Sequence, residues 1–109
     1  MEKSIFEPAT VFTFNDKVEY SADGIVSKRV IDRQVGNVTL FAFDEGQRLS
    51  EHSAPFDAML QVTDGEAEVI INKVSFKVMA GETIIMPANI PHAVNATSKF
   101  KMVLTMIKG

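Results

Sequence analysis

The sequence predicts an all-β sandwich or barrel. Turn signals recur at short intervals: Asp23-Gly24, Gly36-Asn37, Glu45-Gly46, Asp64-Gly65, Asn72-Lys73, Ala80-Gly81, and Pro87 with Pro91. The segments between them are rich in Val, Ile, Phe and Thr, the composition of strands. No long stretch shows a helical period with caps. Many short strands at even spacing make a sandwich or barrel.

Taken in chain order, the N-terminal part (1–20) carries Ile5, Phe6, Val11, Phe12 and Phe14, which is apolar for a chain end. It reads as a strand that covers one face of its own barrel or packs on a second subunit. Residues 38–43 are almost continuously apolar, as expected of a strand covered on both sides. Along 58–63, Ala58, Leu60 and Val62 share an inward face, while Asp57, Gln61 and Thr63 point away. In 66–72, Ala67, Val69 and Ile71 share a face, and in 74–78 Val74, Phe76 and Val78 do so. Only Asn72-Lys73 separates these two runs, so they form a tight hairpin, although glycine is more usual at the second turn position. In 100–107, Phe100, Met102, Leu104 and Met106 alternate with Lys101 and Thr105.

Length and composition bound the function. The chain has 109 residues, room for one domain spanning 1–109. Apolar residues at 46% and charged residues at 23% exclude disorder and fibrous repeats. Eight phenylalanines and six methionines, with no tryptophan, give a core of soft, adaptable side chains. A net charge of −3 offers no general attraction to nucleic acid or anionic lipid. There is no cysteine, hence no disulfide framework, thiolate metal site or thiol nucleophile. The absence of a long apolar run and of a secretory signal leads to the expectation of a soluble, cytoplasmic protein. All fourteen acidic residues lie at or before Glu82, leaving Lys99, Lys101 and Lys108 beyond it. Three lysines on a terminal strand read as edge protection or a wet face rather than as an anion site.

Without a thiol or a serine in a nucleophile-elbow context, chemistry falls to the two histidines, His52 and His92. Alone, each has a plain explanation: His52 lies in the polar run 50–53, where exposure is the default, and His92 opens a strand after Pro91. Their surroundings add to this. Gly46 precedes His52 by six positions, and the segment from Gly81 through Pro87, Ala88, Asn89 and Pro91 to His92 is a second motif. Together they resemble the two signature motifs of the cupin superfamily, in the small single-domain, conserved-barrel form. The likeness covers roughly 38–107. Asn89 stands where glycine is usual, a change that keeps tolerance of left-handed backbone.

The resemblance implies a small antiparallel jelly-roll barrel, a homodimer and a ligand site inside the barrel. It also implies a metal held by His-x-His, a glutamate or further histidine, and a last histidine. Here His52 and His92 match the first and last of these, but Ala54 occupies the second position. The third is Ala58, or Met59 if the loop is one residue longer, with parity favouring Ala58. Two neutral imidazoles without a carboxylate make a weak metal site, because tight zinc or iron sites take at least three protein ligands. The nearest replacements are Asp57 or Gln61 turning inward, or Met59. The reading is therefore a binder of a small, largely apolar molecule, with His52 and His92 as polar contacts. Ala54 and Ala58 would enlarge the pocket, and Met86 and Met102 are candidates to line it. Its partners are the small molecule and a second copy, with no nucleic acid or membrane. The alternative is a cupin-type metalloenzyme, an oxygenase or isomerase, in which His52 and His92 hold one divalent metal (Fe, Mn, Ni or Zn). A metal-free enzyme with His92 as general base is a further possibility. The sequence names no reaction.

Overall fold

The computed structural model describes residues 5–108. Eight strands follow an irregular N-terminal segment: β1 (Ile25–Arg33), β2 (Gly36–Phe43), β3 (Arg48–His52), β4 (Ala58–Ile71), β5 (Val74–Met79), β6 (Thr83–Met86), β7 (His92–Asn95) and β8 (Phe100–Ile107). All pair antiparallel, in the order β1-β2-β8-β4-β7-β3, with β5 and β6 also bonded to β4. This is the expected curled all-β sheet.

The 14-residue β4 closes it. Residues from Ala58 to Gln61 run between β8 and β6, whereas Glu68 to Ile71 run between β5 and β7. The change of partners falls at Gly65, whose φ is +71° and where a Cβ would lie 2.0 Å from the Lys99 carbonyl oxygen. Only glycine fits that corner. At the β4–β5 turn, Asn72 (φ 49°) and Lys73 (φ 71°) are both left-handed, the two-residue hairpin geometry that matches strand twist.

Inside the barrel, Leu60, Val62, Val69, Val94 and Met102 surround a stacked pair, Phe43 and Phe100, with ring centroids 4.5 Å apart. These two are cross-strand partners of β2 and β8. Of the expected face Val74, Phe76 and Val78, only Val78 is buried. The reason is position: β5 bonds β4 alone, at the rim of the sheet.

The N-terminal segment corrects the sequence reading in form. Residues 5–20 contain no strand, only a 3₁₀ turn at Phe14–Asp16. Pro8 brings no amide donor, and Ala9 sits at a φ of 59°, so the chain cannot run extended beside a neighbour. The segment nevertheless covers its own barrel: Phe6 and Val18 are buried against Leu40, Ala42 and Val103. β2 is thus covered on both sides, as its apolar run requires.

Lys101 is not an edge lysine. It lies in β8, between β2 and β4, and only 9% of it is exposed. Its Nζ donates to the Asn15 carbonyl at 2.7 Å and stands 5.0 Å from the Tyr20 ring centroid. Lys28 Nζ likewise donates to the Lys17 carbonyl at 2.9 Å. The barrel therefore holds its cover through two ammonium groups as well as through apolar contact.

Candidate functional site

His52 ends β3 and His92 begins β7, and the two are direct cross-strand partners. Side chains of opposed residues share one face of the sheet. Their ring centroids are accordingly 4.4 Å apart, with the planes inclined at 69°. His52 is exposed at the mouth, whereas His92 is 6% exposed beneath it.

Each ring is oriented by its own backbone. His52 Nδ1 lies 2.8 Å from the Ser50 carbonyl oxygen, and His92 Nδ1 lies 3.2 Å from the Ile90 carbonyl oxygen. A carbonyl only accepts, so both Nδ1 atoms carry the hydrogen, a tautomer that in a neutral ring leaves the lone pair on Nε2. Burial pushes the His92 pKa below the ordinary 6.5, opposed by the bond to Ile90 and reinforced by the nearby His52. His92 is thus held neutral at pH 7, as a hydrogen-bond acceptor rather than a cation.

Three hydrogen bonds lock the loops that carry the site. Asp57 Oδ1 accepts from the Ala88 amide at 2.8 Å. The Asn89 amide donates to the Ala54 carbonyl at 2.7 Å, and the Asn72 amide to the Pro91 carbonyl at 2.9 Å. Asn89 does this at a φ of 65°, the left-handed conformation expected of it.

A cavity of about 50 Å³ lies between the histidines and the barrel interior. His52, His92, Ala54, Ala58, Met86 and Met102, all singled out from the sequence, line it together. Leu49, Val94, Leu104 and Met106 complete the wall. Leu104 and Met106 were legible in the alternation of 100–107, but Leu49 and Val94 had no comparable signal. The two alanines do not make the cavity large, because methionines from β6 and β8 occupy the space.

The residues do not fit a hard divalent metal. Asp57 is an exposed anchor for the 87–91 loop rather than an inward carboxylate. Gln61 and Met59 are absent from the cavity wall. Among the described residues, no group of three or more His, Cys, Asp or Glu side chains is placed to hold a metal ion. Nor is any helix of the described residues long and apolar enough to cross a membrane.

Comparison with known proteins gives this arrangement a family. The cupin domain model matches residues 39–108, which include both histidines. The chain belongs to the cupin family. A conserved protein of unknown function from Streptococcus pyogenes superposes on this cupin with a TM-score of 0.90 at 38% identity. That likeness covers 94% of this chain and 90% of the other. A cupin 2 conserved barrel domain protein from Leptotrichia buccalis gives 0.86 at 41% identity, covering 89% of this cupin. This cupin spans 47% of that longer protein. A cupin superfamily protein from Desulfitobacterium hafniense gives 0.90 over the whole of both chains, and at 17% identity it speaks for the fold alone. No curated protein matches the chain.

Proposed function

We propose that this cupin binds a small, largely apolar molecule inside its barrel, and that His52 and His92 are the polar contacts. The observation that carries this reading is that two histidines line one otherwise apolar cavity with Nδ1 of each already engaged by a carbonyl oxygen, which leaves Nε2 for a ligand. Apolar walls with a few converging polar groups are how small-molecule sites are generally built. Neutral imidazoles accept hydrogen bonds, and the cavity wall holds no fixed cation. The favoured ligand therefore brings an O–H or N–H donor, as an alcohol, phenol or azole does, rather than a negative charge. About 50 Å³ is room for a fragment of a few atoms. A larger ligand enters as Met86 and Met106 change rotamer, which the three rotatable bonds of methionine allow at low cost.

The test is a series of small phenols and alcohols, followed by thermal shift and ligand-observed NMR. Wild-type protein should bind members of the series. The His52→Ala/His92→Ala double variant should fold but lose binding about tenfold or more, the loss of two hydrogen bonds at about 1 kcal/mol each. Equal binding by the double variant would remove the histidines from the site.

A further inference from the structure

We infer that the same cavity is a soft-metal site, suited to Cu(I), in which the thioethers of Met86 and Met106 join His52 and His92. The inference rests on the cavity being a ligand site, and it names a second class of occupant. Ala58 stands where the family resemblance places a carboxylate. In the sheet, Ala58 is the direct cross-strand partner of Met86 on β6 and of Met106 on β8. Directly opposed residues present their side chains on the same face, and all three residues line the one cavity. Where the resemblance places a hard oxygen ligand, this chain has a methyl group with a methionine opposite it on each neighbouring strand.

That exchange changes which metal the site prefers. Carboxylate and water ligands suit hard cations, thioethers select Cu(I), and imidazole serves copper as well as zinc. Two neutral nitrogens and two neutral sulfurs add no negative charge, so a divalent ion would gain little there, whereas a monovalent one needs less compensation. Both Nδ1–H groups are already fixed on carbonyl oxygens, the outer-shell arrangement that orients histidine ligands. The size also fits: about 50 Å³ holds an ion and at most a water molecule or two. The chain has no cysteine, so no thiolate competes for a soft metal elsewhere.

The experiment is an anaerobic competition in which the untagged protein and a chromogenic bicinchoninate chelator share Cu(I) kept reduced by ascorbate. Wild-type protein should withhold about one Cu(I) per chain, and Zn(II) should be held far more weakly. Met86→Leu and Met106→Leu preserve volume and apolarity, so the barrel should stay folded. Each should weaken Cu(I) binding by about tenfold or more, since even outer-shell changes cost 10–100-fold in metal affinity. Met79→Leu, exposed on β5 and outside the cavity, should have no effect. Failure of wild-type protein to withhold Cu(I), or unchanged affinity in both cavity variants, would overturn the inference. The phenol series separates the two readings. Phenol binding without Cu(I) binding leaves the small-molecule site standing, and loss of both removes the cavity as a ligand site.

Discussion

At the scale of single residues, His92 sits where its charged form is disfavoured. Burial is the main cause, and the imidazole of His52 adds to it. Its folded pKa lies below its unfolded value, so as pH falls from 7 the unfolded chain takes up the proton first. Stability is therefore complete above about 6.5 and is lost progressively as pH drops through that value toward the folded pKa. His92→Gln removes this group while keeping a polar side chain of similar reach. Urea unfolding between pH 7 and 5 should show the wild-type midpoint falling more steeply than that of the variant. Parallel curves would mean that His92 titrates alike in both states. The sequence could mark His92 as a motif residue, but its neutrality depends on burial inside the assembled barrel, and contacts across the barrel leave no trace in local spacing. Asp57 shows the same limit. Its parity places it off the inward face, yet only the fold shows that its carboxylate holds the Ala88 amide.

At the scale of elements, the β4–β5 hairpin was legible because two alternating runs were separated by two residues, which leaves one turn geometry. That turn holds Lys73 at a φ of 71°, a conformation that costs a side-chain-bearing residue about 1–2 kcal/mol. Lys73→Gly removes the strain. Against it stands a 3.5 Å ion pair between exposed Lys73 and Glu51, worth little in water. Glycine also loses more backbone entropy on folding, by about 0.5–1 kcal/mol. The expected result in chemical denaturation is a net gain of about 0.5–1 kcal/mol, with the fold unchanged. A loss would mean that the ion pair or the lysine stem matters more than the turn. Strand β5 was harder to place. Alternation shows that Val74, Phe76 and Val78 share a face, but not whether another layer covers it, and at the sheet rim only Val78 is covered.

For the whole molecule, the N-terminal segment is part of the structure rather than an appendage. Ile5, Phe6, Val11, Phe12 and Phe14 pointed to a cover there, and of these Phe6 is buried while Ile5 and Val11 stay exposed. How it is covered depends on Leu40, Ala42 and Val103, which the sheet assembles from distant parts of the chain. Lys101 belongs to the same layer, and only the topology makes β8 an interior strand rather than an edge. Val18 is completely buried in that contact. Val18→Ala should cost about 2 kcal/mol in urea unfolding, close to the worth of a fully buried valine side chain. It should leave ligand binding at the histidines unchanged, because the cover lies on the outer face of the sheet and the cavity on the inner. A cost near zero would mean that the segment separates readily from the barrel.

The central claim is that the two histidines lining one cavity each keep the Nδ1 hydrogen on a backbone carbonyl and offer Nε2 to a ligand. A long-range ¹⁵N–¹H correlation spectrum of the imidazoles in the ligand-free protein at neutral pH tests it most directly, because it reports which ring nitrogen carries the hydrogen. The structure predicts the Nδ1–H tautomer for both His52 and His92, with both Nε2 resonances responding when a phenol is added. An Nε2–H tautomer at either ring, or Nε2 resonances indifferent to the ligand, would contradict it.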